Sequence, residues 1–181
     1  HNAILAIINT ISQKDYNVTF DMEDKLTELE EIYEETIETE KDIQPMAWPV
    51  YPVKEVEMYW GDENFEKEYG IPNRGLQIKA EQGTPLYSAN DGIVYHVTDN
   101  PGIWINWILV VPPKWYVSAY MFVNKAVVEK WDIVRRGQLI GYSGWEPGTK
   151  GAGFISKWPN LTFFTFKDGI AVDPLQLLDL S

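Results

Sequence analysis

Hydrophobic and polar positions follow two different rhythms along this chain. Within the first 45 residues Met22, Leu26, Leu29, Tyr33 and Ile37 recur at spacings of 4, 3, 4 and 4, which puts them on one face of a helix. Thr19 or Asp21 supplies an N-cap and Pro45 a stop. From Met46 onward the pattern changes to short β-prone runs between turn residues: Gly92–Val97, Trp104–Val111, Trp115–Val123, Gln138–Tyr142 and Leu161–Phe166. Val127–Arg136, followed by Gly137-Gln138, reads as strand, turn, strand. The expectation is a mainly β domain over residues 46–181, an antiparallel sandwich or barrel, preceded by a helical segment over residues 1–45.

Charge sharpens that division. Residues 1–45 carry twelve acids against three lysines, net −9, while residues 46–181 carry fifteen acids against twelve basic residues, net −3. Glu28, Glu30, Glu31, Glu34, Glu35 and Glu38 cover the rest of the helix surface. Like charges one turn apart repel by about 0.2–0.5 kcal/mol per pair, so the apolar stripe needs a partner. Either the body of the same protein covers it, or a second chain does, as a coiled coil or docking surface.

Composition narrows the function classes. With 45% hydrophobic and 23% charged residues in 181, the chain is globular rather than disordered. A net charge of −12 argues against nucleic acid, which is held through clustered Lys and Arg. The absence of cysteine excludes disulfides, Cys-zinc sites and thiol catalysis. Only two histidines exist, His1 and His96, which removes most histidine-based catalysis and most zinc sites. The longest apolar run, Ala3 to Ile8, is far short of the ~18 residues of a membrane span. A first residue that is His rather than Met is expected of a fragment or processed form, with any anchor lying upstream.

The turn residues form a recognisable order. Gly83-Thr84-Pro85 makes a turn into a strand with φ fixed at Pro85, and Asp91-Gly92 makes a hairpin-type turn in which Gly92 allows positive φ. Gly137 and Gly141 bracket a strand, and Lys167-Asp168-Gly169 makes the last hairpin. In sequence order the chain offers Trp48-Pro49-Val50 and Trp60-Gly61, then "NRGLQIKAEQGTPLYSANDGIV", then "VEKWDIVRRGQLIGYSG", and last "NLTFFTFKDGIAVDP". Together these resemble the lysostaphin/LytM-type zinc endopeptidases, which cut peptidoglycan. The resemblance runs from about Trp48 to Pro174 and implies the LytM (duplicated hybrid motif) fold.

The chemistry implied by that resemblance is missing. An active family member holds zinc with a His and an Asp four residues later, plus the second His of a His-x-His strand, and has a further His in a middle strand. Carried over residue by residue, the first pair falls on Asn73 and Gln77 and the His-x-His pair on Asn160 and Thr162. The middle-strand His falls on Tyr120, and the acid that usually follows the His-x-His strand falls on Phe164. Zinc takes imidazole, thiolate or carboxylate, so neutral amides and a hydroxyl do not replace the set. His96 stands alone on its strand and reads as a packed or surface histidine. Asp91, Glu146 and Asp168 offer no spacing that speaks for acid/base work. The expected metal, cofactor and catalytic residues are therefore none.

Eight tryptophans are many for this length, and their faces stack on sugars or anchor protein interfaces. Trp145 and Trp158, in the Gly-rich stretch before the last motif, are the candidate groove or partner contacts; Trp48, Trp104 and Trp131 are expected in the core. Family members that have lost their zinc ligands regulate cell-wall hydrolases or build septal channels. The resemblance thus implies an inactive peptidase homologue, extracytoplasmic, that binds another cell-envelope protein. The alternative is a module that binds peptidoglycan or another glycan in the vacated groove.

Overall fold

The computed structural model describes Thr27, Glu28, Glu31 and residues 45–100, 105–112, 116–143, 158–167 and 169–180. The apolar stripe Met22, Leu26, Leu29, Tyr33 and Ile37 lies outside the described residues, as do Trp104 and Trp145. The fold is mainly β and antiparallel.

Eleven strands are formed among the described residues: β1 Val56–Met58, β2 Leu76–Lys79, β3 Thr84–Tyr87, β4 Gly92–Val97, β5 Trp107–Val111, β6 Val117–Met121, β7 Val123–Ala126, β8 Ile133–Val134, β9 Leu139–Ser143, β10 Asn160–Lys167 and β11 Ile170–Val172. One short helix, α1 Glu63–Tyr69, follows β1. Its N-terminus is capped by the Asp62 carboxylate, which accepts the Phe65 N–H at 2.9 Å, and it ends at left-handed Gly70. The large sheet has the order β1-β2-β10-β6-β5-β4-β8, with β11 also paired to β10, and a small sheet has the order β3-β9-β7.

Period-two alternation sorts the strands onto two apolar layers. Leu76, Ile78, Val94, Ile108, Val110, Tyr120, Leu161 and Phe163 of the large sheet meet Leu86, Val123 and Ile140 of the small one. The intervening residues Trp107, Leu109, Val117, Ala119, Met121, Phe164 and Phe166 pack on the opposite face of the large sheet, against Phe65 and Ile71. β10 is therefore buried on both faces, which explains its nearly continuous apolar run "LTFFTF".

Two local readings change. Gly92 has no positive φ; a Cβ there would sit 2.5 Å from Val110 Cγ1 and 3.1 Å from the Val111 backbone, so glycine is needed for close strand approach. Between Val127 and Arg136 only Ile133–Val134 is strand. The Asp132 side chain accepts the Glu129 N–H at 2.8 Å, and Trp131 adopts φ 77°, a turn that uses up the rest of the run. Trp131 and Trp48 are half-buried: Trp131 packs edge-on against Tyr95, and Trp48 donates from Nε1 to the Asp179 carbonyl at 2.7 Å.

Candidate functional site

Asn73, Gln77, Asn160 and Thr162 converge on one pocket, on the outer face of the large sheet where β2, β10 and β6 run side by side. Register brings them together. Gln77 on β2 lies opposite Thr162 on β10, and Thr162 in turn lies opposite Met121 on β6. Asn160, Thr162 and Phe164 share that face by alternation. Met58, Phe65, Pro72, Arg74, Met121, Phe122 and Phe164 complete the lining.

The polar residues in the pocket are turned to other partners. Asn73, 5% exposed, donates from Nδ2 to the carbonyls of Tyr59 at 2.7 Å and Gly75 at 3.1 Å, and its Oδ1 accepts the Gly75 N–H at 3.2 Å. Its side chain thus fastens the start of β2 to the turn after β1. Thr162 donates from Oγ1 to Asn160 Oδ1 at 2.8 Å, and Asn160 Nδ2 donates to the Trp158 carbonyl at 2.9 Å. Gln77 Nε2 reaches Glu57 Oε2 at 3.4 Å. Burial pushes the Glu57 carboxyl above its ordinary range and Glu55 adds to this, against the opposing effects of the Gln77 hydrogen bond and Lys79.

Apolar groups take up the remaining room. The Phe164 ring packs so closely on Gly75 that a Cβ there would lie 2.8 Å from it. Phe122 enters the lining from a backbone at φ 70°, costly for a bulky residue, at the point where the chain leaves the large sheet for the small one. Its N–H and that of Val123 both donate to the Asn106 carbonyl, at 2.8 and 3.1 Å. The space left is about 30 Å³, room for a water or two.

Tyr120 does not reach this pocket. Alternation on β6 turns it to the inter-sheet core, fully buried, where its hydroxyl accepts the Ala89 N–H at 2.7 Å and pairs with Ser118 at 2.9 Å. Met121 and Phe122 occupy the position on the pocket side that the sequence reading assigned to Tyr120. Trp158 is not among the lining residues; it is 40% exposed, and its carbonyl accepts from Asn160 of the pocket. Arg74 was missed; its signal was a basic residue between two motif positions, Asn73 and Gly75. Its guanidinium lies 4.7 Å from the Trp60 ring centroid.

These residues do not fit zinc. The donors are two amides, a third amide and a hydroxyl, each already engaged, and among the described residues no three His, Cys, Asp or Glu gather where they could hold a metal. His96 stays apart from the pocket, stacked on Trp107 at 4.2 Å between ring centroids.

Comparison with known proteins gives the ancestry of this arrangement. The chain is 33% identical over 73 residues to the peptidoglycan DD-endopeptidase ShyA of Vibrio cholerae, a stretch that covers 40% of this chain and 17% of ShyA. It spans less than a third of the length of each of the curated relatives compared. Its fold matches a zinc-containing peptidase from Vibrio cholerae with a TM-score of 0.62 at 24% identity, over 77% of this chain and 42% of that one. It also matches a chain of the SpoIIQ–SpoIIIAH pore-forming complex with a TM-score of 0.60 at 20% identity, over 75% of this chain and 92% of that one. Peptidase family M23 matches residues 71–174, more than half of the sequence, and the chain belongs to that family.

Proposed function

We propose that this protein is a non-hydrolytic member of family M23, acting outside the cytoplasm as a protein-interaction or regulatory module of the cell envelope. One observation carries the reading. Four positions where an active relative would place metal ligands or their neighbours meet in one pocket as neutral groups, Asn73 bonded to the backbone, Thr162 to Asn160, Asn160 to the Trp158 carbonyl and Gln77 to Glu57. Such a set neither binds zinc nor lowers the pKa of a bound water. The Phe65, Phe122 and Phe164 side chains supply much of the rest of the lining. The fold also serves in a protein assembly, the pore-forming complex that it matches.

The partner in this reading is another envelope protein, met by the domain face around the pocket or by the apolar stripe Met22, Leu26, Leu29, Tyr33 and Ile37 expected on the acidic N-terminal segment. Trp158 favours a second reading, a glycan-binding module, because it is 40% exposed and an exposed indole stacks well on a sugar. The pocket itself is too small for a sugar ring, so a glycan would lie across its rim. Co-sedimentation with isolated peptidoglycan sacculi, with muropeptide release read from the supernatant, separates the readings. The expected result is no release and no pelleting; pelleting without release supports the glycan module, and chelator-sensitive release contradicts both.

A further inference from the structure

Arg74 stands out against the charge of the whole chain. Acids outnumber basic residues by 27 to 15, and there are only three arginines. Arg135 holds Asp91 at 3.4 Å and Arg136 holds Asp179 at 3.8 Å. Arg74 makes no ion pair among the described residues. Glu57 sits beside the pocket, yet it bonds Gln77, and the charges that act on it are Glu55 and Lys79.

Its geometry is prepared for a ligand. The Asn73 side chain closes on both the N–H and the carbonyl of Gly75, and Gly61 N–H donates to the Asn73 carbonyl at 2.8 Å, so the backbone on either side of Arg74 is fixed. The guanidinium then rests on the Trp60 ring, which orients the fork without satisfying its N–H donors. Among the described residues that line the pocket, it is the one charged group. A single fork with no second cation among the described lining residues suits a monoanion such as a carboxylate.

We infer that Arg74, stacked on Trp60 at the mouth of this pocket, binds the carboxylate of a peptide ligand. The inference rests on the non-hydrolytic reading above and gives that module the chemistry of its ligand. The carboxylate is either a chain terminus or an acidic side chain of a bound protein segment, and both present the same two oxygens to the fork.

The test is a titration of the ¹⁵N-labelled protein, following the Trp60 indole N–H and the Arg74 Nε–H by NMR. Four probes are compared: triglycine acetylated at its N-terminus with a free C-terminal carboxylate, the same peptide amidated, the acetylated and amidated peptide with a central glutamate, and chitotriose. Saturating shifts of both signals with either carboxylate peptide, at least tenfold weaker with the neutral amide, are expected. The stronger of the two carboxylate peptides identifies terminus or side chain. Arg74→Gln should weaken the preferred peptide about tenfold while leaving the rest of the spectrum dispersed. Equal response to acid and amide, a response to chitotriose alone, or no loss in R74Q overturns the site. Muropeptide release from sacculi would instead overturn the non-hydrolytic reading and leave the carboxylate preference as measured.

Discussion

The Thr162 hydroxyl donates to the Asn160 carboxamide at 2.8 Å, so two neighbours on one face of β10 satisfy each other across the floor of the pocket. By the family resemblance these two positions correspond to the His-x-His pair, of which the second, here Thr162, would be the metal ligand. Here the polarity is kept and turned inward, and the strand they share is buried on both sides. In the non-hydrolytic reading proposed above these side chains serve the scaffold, so they should behave as structural residues under mutation.

Asn73 tests this first. Its carboxamide makes three hydrogen bonds to backbone groups of Tyr59 and Gly75, at least two of them buried. Asn73→Ala leaves those groups without partners and should destabilise the domain by about 2–3 kcal/mol in urea unfolding. A loss below about 0.5 kcal/mol would mean that Asn73 is free to serve a ligand.

Gly75 and Phe164 test the filling of the groove. Gly75→Ala puts a methyl 2.8 Å from the buried Phe164 ring, so the ring or the strand must shift. Overpacking of this kind costs about 1–3 kcal/mol. Phe164→Leu in the same chain should recover much of it, so the double-mutant cycle should show coupling of more than about 0.5 kcal/mol. Additive effects would contradict the contact.

His96 gives a pH signature independent of the pocket. Desolvation, and secondarily Lys130, pushes its pKa below the ordinary value of 6.5, and its buried Nε2 has no hydrogen-bond partner among the described residues. The unfolded chain therefore binds the proton more readily than the folded one. Stability contributed by the neutral ring is present above 6.5 and is lost as pH falls through the lower folded value. His96→Phe keeps the stack on Trp107 and should flatten that part of the stability profile, measured as urea midpoint against pH. An unchanged slope in H96F would contradict the assignment.

Much of the fold was legible because its signals are local. Runs such as Trp104–Val111 and Leu161–Phe166 contain β5 and most of β10, since apolar residues on both faces mark strands buried twice. The motif positions Asn73, Gln77, Asn160 and Thr162 could be picked out by order and spacing, and register then brought them to one pocket. Tyr120 failed on parity: a shift of one residue along β6 moves a side chain from the pocket to the core, and Met121 and Phe122 face the pocket instead. Gly92 was assigned to a turn because the Asp-Gly pair is a turn signal. Its actual constraint is a neighbouring strand, which sequence order does not reveal. The bond from Asn73 to the Tyr59 carbonyl and the stacking of Arg74 on Trp60 each join residues 14 apart and carry no local pattern.

The central claim is that this M23 domain keeps the family fold without the family chemistry. The most direct measurement is zinc content after incubation with one equivalent of zinc and desalting, run on the wild type and on N73H/Q77D/T162H, with muropeptide release from sacculi assayed in the same samples. The wild type should retain no zinc above a buffer blank and release nothing. The triple variant, which returns imidazole and carboxylate to three converging positions, should retain up to one zinc if it remains folded. Stoichiometric zinc in the wild type, with release abolished by a chelator, would contradict the account.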